Sequence, residues 1–269
     1  MRKFQCLTGM IFLNALSLCL PNGQIVAQSK RVTLETKAGI QWAGVDRPGD
    51  LFLVLTTGEI QKFDKTGKKL GSHSFDRAPT LFDPMDGVQC FYYMATENQY
   101  GNISSDLSTA TRHVLDPAFA ISPWLVCPSL HELWILDASD FTIKKTTQGS
   151  ATISLEAALI HQGSKKIQDY LYMREYQNYV FLLDKNAGVH LFNSLGKFIK
   201  TLGESGMDAF NFLGEELYYV KGNELLVLDL YTEEKRKLTL PQPCRMALVT
   251  DDTLFAIEQN RVVIYDFKP

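Results

Sequence analysis

A short strand-rich unit recurs six times along this chain and limits the possible folds more than any other feature. In Val180–Gly203 an apolar run (VFLL) is followed by a polar turn, a second run (VHLF), another turn and a third run. Units of this kind begin at Leu51, Phe91, Leu133, Val180, Leu217 and Leu254, so successive starts are 37 to 47 residues apart. Short apolar runs separated by turns at this period predict the blades of a β-propeller and not a helical array.

A further apolar run precedes each unit and supplies a fourth strand. The six runs are IQWAGV, PTLFDPM, PWLVCPSL, DYLYMREY, AFNFLG and RMALV. We predict that they form the inner strands of an all-β, six-bladed propeller with four antiparallel strands per blade. The sixth unit lacks an outer strand, and residues 29–38 (SKRVTLETKA) alternate apolar and polar side chains. We expect this N-terminal strand to join the last blade and close the ring, because closure removes exposed sheet edges.

Two units carry a more specific pattern. GEIQKFDKTGKKL (58–70) and AGVHLFNSLGKFIKTLG (187–203) resemble the third and fourth strands of NHL-type six-bladed β-propellers, whose pattern is R-I-Q-x-F-D-x-x-G-x-F-x-x-x-x-G. The chain departs from that family in its inner strands. No unit has the usual P-x-G-I-A-V-D, and IQWAGVDRPGD is the nearest approach. The resemblance implies the architecture and says little about activity.

The N-terminus has the layout of a secretory signal peptide. Arg2 and Lys3 precede an apolar stretch (6–20), and a small residue, Ala27, provides a cleavage position. We predict a signal peptide over residues 1–27 and a single propeller domain over 28–269. The alternatives are an uncleaved anchor and lipidation at Cys19. Export would place the protein in the periplasm or at the outer membrane, and a cell-surface position is also compatible.

The charge balance argues against a nucleic-acid partner. The chain has 27 basic and 30 acidic side chains, for a formal net charge of -3, and no long basic run. Three cysteines follow the predicted signal peptide: Cys90, Cys127 and Cys244. We expect buried free thiols that behave as small apolar side chains. One disulfide with one free thiol is the alternative.

No catalytic motif stands out in the sequence. There is no GxSxG, HExxH or glycine-rich phosphate loop. NHL-like lyases and six-bladed lactonases, which share the expected architecture, bind metal ions with inner-strand side chains. The corresponding runs here offer Asp83, Glu175 and Asn211, too few for a convincing calcium cage. The five histidines (73, 113, 131, 161 and 190) fall in outer strands, a turn and a linker, so we expect no convergence. We therefore predict no metal, no cofactor and no enzymatic activity.

Two sets of residues are candidates for ligand or partner contacts. The aromatic side chains Trp42, Trp124 and Tyr172 lie in inner runs and would form a stacking platform if they share one rim. Packing between neighbouring blades is the alternative. The linker 154–170 is longer than the others, and SLEAALIHQ (154–162) predicts a short helix presenting Leu155 and Leu159. Such an insertion would be a place for a partner to bind, or a tolerated loop.

These observations favour a non-enzymatic exported propeller that acts as a protein–protein interaction scaffold, as an accessory subunit of an envelope or outer-membrane complex. The alternative is a glycan- or peptide-binding module at the channel mouth. A metal-dependent lyase or lactonase ranks third. After residue 27 the sequence contains no apolar stretch long enough to span a membrane.

Overall fold

The chain folds into six four-stranded antiparallel sheets that form the blades of a β-propeller. The computed structural model describes residues 29–84, 87–130, 132–147, 152–159 and 163–267. The predicted signal peptide lies outside the described residues. The only helical element among those residues is a 3₁₀ turn, Ile167–Asp169. No helix in the described part of the chain is long and apolar enough to cross a bilayer.

The strands follow the predicted order, from the inner to the outer strand of each blade. In chain order they are β1 (Lys30–Glu35); in blade 1, β2 (Ile40–Val45), β3 (Leu51–Leu55), β4 (Glu59–Phe63) and β5 (Lys69–Ser74); in blade 2, β6 (Leu81–Asp83), β7 (Gln89–Met94), β8 (Gln99–Ser104) and β9 (His113–Val114); in blade 3, β10 (Pro123–Pro128), β11 (Glu132–Asp137), β12 (Thr142–Thr147) and β13 (Ile153–Ala158); in blade 4, β14 (Tyr170–Tyr176), β15 (Tyr179–Asp184), β16 (Gly188–Phe192) and β17 (Phe198–Leu202); in blade 5, β18 (Asn211–Leu213), β19 (Glu216–Lys221), β20 (Glu224–Asp229) and β21 (Lys235–Thr239); and in blade 6, β22 (Met246–Val249), β23 (Thr253–Ile257) and β24 (Arg261–Asp266). The predicted six blades are confirmed.

The predicted closure of the ring is also confirmed. Strand β1 pairs antiparallel with β24 and becomes the outer strand of blade 6. Val32 and Leu34 are half-buried and pack on the apolar cluster between blades 6 and 1. Arg31 Nε lies 2.5 Å from the Asp266 carboxylate, so an ion pair joins the start of β1 to the end of β24. The sheet edge that β24 would otherwise expose is therefore covered.

The core consists of apolar layers between neighbouring blades. Second strands are the most buried, and every residue of β3 is buried, as expected for strands packed on both faces. Within the described residues Cys90, Cys127 and Cys244 form no disulfide, and the first two are buried while Cys244 is half-buried. Burial raises the pKa of the Cys244 thiol to about 11, so this group is protonated at neutral pH.

The prediction of a short helix over 154–162 is wrong. Residues 153–158 form β13, the outer strand of blade 3, in which half-buried and exposed side chains alternate. Apolar residues at Leu155, Ala158 and Leu159 match a helical spacing, but Ile153, Leu155 and Ala157 match a strand equally well. Pairing with β12 favours the strand, because it satisfies the backbone groups on one side of β13. The structure does not describe residues 160–162.

Candidate functional site

The six inner strands β2, β6, β10, β14, β18 and β22 surround the central channel. Because the blades are equivalent, these strands begin at one mouth of the channel, here called the N-terminal mouth, and end at the other, the C-terminal mouth. Side chains from opposite blades meet between the two mouths. The channel is therefore the one place where all six blades can contribute to a common site.

Aromatic rings fill the N-terminal half of the channel. Trp42 of blade 1 and Tyr172 of blade 4 meet across the axis, with ring centroids 6.3 Å apart. Trp42 also contacts Phe82 edge-to-face at 5.7 Å, and Tyr172 contacts Phe210 in the same way at 5.7 Å. Four blades thus contribute one ring each. Such contacts stabilise by about 0.5–1.5 kcal/mol per pair beyond area burial.

The position of Trp42 depends on the glycine two residues along the same strand. A Cβ atom at Gly44 would lie 2.0 Å from the Trp42 indole, so any larger residue would force the ring to move. Residues i and i+2 of a strand share a face, which explains why the indole lies directly over Gly44. The sequence IQWAGV therefore combines a channel-crossing aromatic side chain with the space that it needs.

A buried arginine occupies the middle of the channel. Arg174 of β14 is 4% exposed. Its Nε lies 3.4 Å from the Asp83 carboxylate of blade 2, and its Nη1 donates to Asn211 Oδ1 of blade 5 at 2.9 Å. The guanidinium also lies over the Phe212 ring, 5.8 Å from the centroid. One side chain thus links blades 2, 4 and 5, and blade 2 is adjacent to neither of the other two.

Two polar groups in this arrangement lack a partner. Among the described residues, Arg174 Nη2 and the Tyr172 hydroxyl are buried and make no hydrogen bond. Burial lowers the pKa of Arg174, but the Asp83 carboxylate and neighbouring phenols raise it by more, so the guanidinium stays charged. Burial raises the pKa of Tyr172 well above its ordinary value, so this phenol keeps its proton. Both groups are donors, and both are unsatisfied.

Both residues line a cavity of about 140 Å³ at the N-terminal mouth, here called the channel pocket. The aromatic side chains Trp42, Phe82, Tyr172 and Phe210 form its walls, and Arg174 and Asn211 lie deeper along the axis. Arg245 and Asp208 lie at its exposed rim. Arg245 donates to the backbone oxygen of Ile40 at 2.7 Å, which ties blade 6 to blade 1. The pocket therefore has apolar walls and a cationic floor.

The C-terminal mouth has a different composition. A second depression there includes Asp83, Arg174, Glu175, Tyr176 and Gln177. Glu175 accepts a hydrogen bond from the Trp134 indole of blade 3, and the Tyr176 hydroxyl donates to the Gly214 oxygen at 2.7 Å. Arg174 lines both cavities and therefore lies between the two mouths of the channel.

The structure brings together only part of the predicted aromatic platform. Trp42 and Tyr172 lie in contact, as described above. Trp124 is half-buried and donates from Nε1 to the Tyr170 backbone oxygen at 2.9 Å, which joins blades 3 and 4. It is absent from the described lining of the channel pocket. Trp124 is therefore not part of the aromatic platform, because its indole is engaged in the hydrogen bond to blade 4.

The two leucines predicted to face a partner are largely buried. Leu159 is 4% exposed and belongs to the core. Leu155 is half-buried, and a Cβ atom added to Gly196 of blade 4 would lie 2.7 Å from it. Leu155 therefore packs the outer strand of blade 3 against blade 4, and little of either leucine is presented to solvent.

The three side chains considered as metal ligands are engaged in other contacts. Arg174 bonds to both Asp83 and Asn211, and Glu175 accepts from Trp134. A cation at Asp83 and Asn211 would face the guanidinium at close range. Within the described residues, no group of three or more His, Cys, Asp or Glu side chains is placed to hold a metal ion.

The described histidines lie away from the channel. His73 and His113 are in the outer strands β5 and β9, and His190 is in β16, as the sequence predicted. The prediction for His131 and His161 falls outside the described residues. His190 is buried between Asp184 and Thr201, and its Nδ1 lies 2.9 Å from the Thr201 hydroxyl.

Arg174, the central residue of this site, was not among the residues predicted from the sequence. The predicted candidates in the inner runs were carboxylates, an amide and aromatic side chains, and the arginine in DYLYMREY was not one of them. A usable signal was present. Tyr172 and Arg174 are two residues apart in an otherwise apolar strand, so they share a face, and a cation on a buried face requires a partner.

Comparisons with known proteins support the fold. No protein-family model and no curated protein matches the chain. Among solved structures, virginiamycin B lyase from Staphylococcus aureus aligns with a TM-score of 0.58 at 13% identity, over 88% of this chain and 98% of that one. The WD40 domain of Neurospora crassa Pan2 aligns with a TM-score of 0.58 at 8% identity, over 91% and 98%. An extracellular domain of a one-component system from B. thetaiotaomicron aligns with a TM-score of 0.53 at 11% identity, over 85% of this chain and 33% of that chain.

Fold and comparisons together define the chain as a six-bladed β-propeller. The structural neighbours include a lyase and a WD40 domain, and identities this low carry the architecture alone. The NHL-like type stays a prediction from the two matching repeats.

Proposed function

We propose that this protein is an exported, non-enzymatic propeller that binds a partner protein of the cell envelope, with the channel pocket as the contact. The observation that carries the proposal is that Arg174 Nη2 and the Tyr172 hydroxyl are buried without a hydrogen bond, in residues that line a cavity open at one mouth. Buried unsatisfied donors cost about 1–3 kcal/mol each, and an inserted segment of a partner would recover this energy.

The closed ring supports the role of a scaffold. All six blades are complete, and both ends of the described chain are held in blade 6. A rigid platform loses little conformational freedom when a partner docks, so more of the contact energy appears as affinity. Export is supported by the signal-peptide pattern of residues 1–27, and we place the protein in the periplasm or at the outer membrane on that basis.

The contacts of Arg174 favour binding over metal-dependent catalysis. A divalent cation held by Asp83 and Asn211 would have to displace the guanidinium from both. Cys127 is a poor candidate for a nucleophile, because burial, with Glu175 and Asp83 nearby, raises the pKa of its thiol well above the ordinary value. A glycan platform is less favoured, because Tyr172 is buried and its ring already contacts Trp42 and Phe210.

Site-specific photo-crosslinking in the native host tests the proposal. Leu171 lines the channel pocket and is 38% exposed, so a photoreactive phenylalanine there would face a bound partner. Leu195, in the outer turn of blade 4, is 72% exposed and provides the control. We expect one discrete protein adduct from position 171 in the envelope fraction and none from position 195. Equal labelling from both positions, or no adduct from position 171, would refute a partner contact at this mouth.

A further inference from the structure

We infer that the channel pocket is a carboxylate-binding site, in which Arg174 and Tyr172 receive the carboxylate of a ligand with a small apolar body. This inference deepens the proposed function and rests on it only for the source of the carboxylate. The source is either the C-terminus of a partner protein or a free monocarboxylic acid.

The two residues have hydrogen-bond donors that no described protein group uses. The Arg174 guanidinium has five N–H groups, and the described contacts use Nε toward Asp83 and Nη1 toward Asn211. Nη2 remains, together with the Tyr172 hydroxyl. Nη2 can only donate, and the protonated Tyr172 hydroxyl can donate as well as accept. A ligand that fits them must therefore present hydrogen-bond acceptors, and a carboxylate presents two oxygens with four acceptor positions.

The charges around the guanidinium are distributed unevenly between the two cavities. Asp83 lines the cavity of the C-terminal mouth and is absent from the described lining of the channel pocket. The acid on the pocket side is Asp208, which is exposed at the rim. Arg245 lies at the same rim and offsets its charge. The described lining of the pocket thus contains the Arg174 guanidinium and no buried acid, while Asp83 lies 3.4 Å from Arg174 Nε on the far side and offsets part of its charge. This arrangement favours an anion over a neutral group.

The walls and the size of the cavity limit the shape of a ligand. Trp42, Phe82, Phe210 and Leu171 surround the approach to Arg174. A volume of about 140 Å³ holds several water molecules or one terminal residue of a peptide, but not a folded loop. Arg174 lies two residues beyond Tyr172, or roughly 7 Å farther along the strand. A carboxylate at the end of a chain can reach this depth, whereas an aspartate on a folded surface cannot.

Calorimetric titration of the purified protein with matched acids and amides tests the inference. The free-acid probes are isovalerate and isovaleramide. The peptide probes are acetyl-Gly-Gly-Val with a free C-terminus and with an amidated one. We expect both acids to bind and both amides to bind at least about tenfold more weakly, because an ionised acceptor forms the stronger hydrogen bond. Tighter binding of the free-C-terminus peptide than of isovalerate assigns the source to a protein terminus, and the reverse order assigns it to a small acid.

Two variants and a control locate the site. Tyr172→Phe keeps the ring and removes the hydroxyl, and we expect affinity for the acids to fall about 2- to 10-fold. Arg174→Gln removes the cation, and we expect a loss of about 10- to 100-fold. Tyr176→Phe, on the same strand but at the C-terminal mouth, should bind as the unaltered protein does. Should Arg174→Gln fail to fold, Tyr172→Phe still decides the matter.

Some results would overturn the inference. They are no heat of binding from any acid at millimolar concentration, equal affinity for acids and amides, or unchanged affinity in Tyr172→Phe. These outcomes are separable from the crosslinking test. Acid binding that is lost in Tyr172→Phe, without an adduct at position 171, would keep the carboxylate site and remove the partner. An adduct at position 171 without acid binding would keep the partner contact and remove the carboxylate site.

Discussion

Asp137 and Asp184 occupy the same position in blades 3 and 4 and make similar contacts. Each is the last residue of a second strand and is fully buried. Each accepts backbone N–H groups from the linker that enters its blade, Asp137 from Ile121 and Ser122 at 3.0 Å and Asp184 from Ser164 at 2.5 Å. A cationic or imidazole side chain two positions along the third strand faces each carboxylate: Lys144 in blade 3 and His190 in blade 4. The recurring aspartate therefore fastens each linker to the blade that it enters.

Replacing Asp137 by asparagine should destabilise the protein strongly. Lys144 Nζ lies 2.8 Å from Asp137 and 3.0 Å from Asp140, and only Asp140 is partly exposed. Removing the buried charge leaves the lysine with the exposed acid alone, which costs about 3–5 kcal/mol for buried pairs. Asp140→Asn removes the exposed acid and should cost less than about 1 kcal/mol. Denaturant unfolding of both variants measures the difference, and equal effects would contradict the assignment.

The stability of the protein should depend on the protonation of His190. Burial lowers the pKa of this imidazole, and the Asp184 carboxylate beside it only partly offsets the effect. The folded state therefore binds its proton less readily than the unfolded state, whose pKa is about 6.5. The stabilising contribution is complete above that pH and is lost as the pH falls from about 6.5 toward the folded-state pKa.

Unfolding free energies at pH 7.5 and 5.5 measure this dependence. The unaltered protein should lose more stability between the two values than His190→Gln does. His113→Gln is the control, because His113 lies exposed in β9. An identical pH dependence in the unaltered protein and His190→Gln would show that another group is responsible.

Truncating Leu159 should act on the fold and not on partner binding. Its side chain is 4% exposed, so Leu159→Ala should cost about 2–5 kcal/mol through lost burial and the cavity left behind. Leu195→Ala, with 72% of the residue exposed, should change stability by no more than about 0.5 kcal/mol. Thermal and denaturant unfolding test both. A fully stable Leu159→Ala variant with reduced partner crosslinking would instead assign this residue to the interface.

Weakening the apolar face of β1 should open the last blade. Val32 and Leu34 are half-buried against the cluster between blades 6 and 1, so replacing both with asparagine should cost about 2–3 kcal/mol. Replacing the exposed Lys30 and Glu35 of the same strand with asparagine and glutamine should have little effect. Protease resistance of β24 distinguishes local opening from global unfolding. Retention of full resistance in the Val32 and Leu34 variant would show that closure does not depend on these side chains.

The architecture was readable from the sequence because each blade repeats the same local pattern. IQWAGV was predicted as an inner strand and forms β2 over those residues, Ile40–Val45. The closing strand was predictable because unit six lacked a partner, while Val32 and Leu34 alternated with polar residues near the N-terminus. Because the pattern occurs six times, an irregular unit does not change the predicted fold.

The site was less predictable, because contacts across the channel depend on how the six blades are arranged around it and not on the sequence of any one strand. Nothing local to Tyr172 indicates that it meets Trp42 from the opposite blade, or that Trp124 instead bonds to the backbone of Tyr170. The error at 154–162 has a local cause. Leu155 and Leu159 are spaced for both a helix and a strand, and only pairing with β12 decides between them.

The pairing of β1 with β24 also sets the order in which the protein can be assembled. Arg31 and Asp266, which meet in that sheet, are 235 residues apart in the chain. During synthesis from the N-terminus, β1 is made before blades 1 to 5 and stays unpaired until β24 has been made. Strand β1 thus has unpaired backbone N–H and C=O groups during most of the synthesis of the chain. The growing chain would benefit from a holding chaperone up to the moment when β24 arrives.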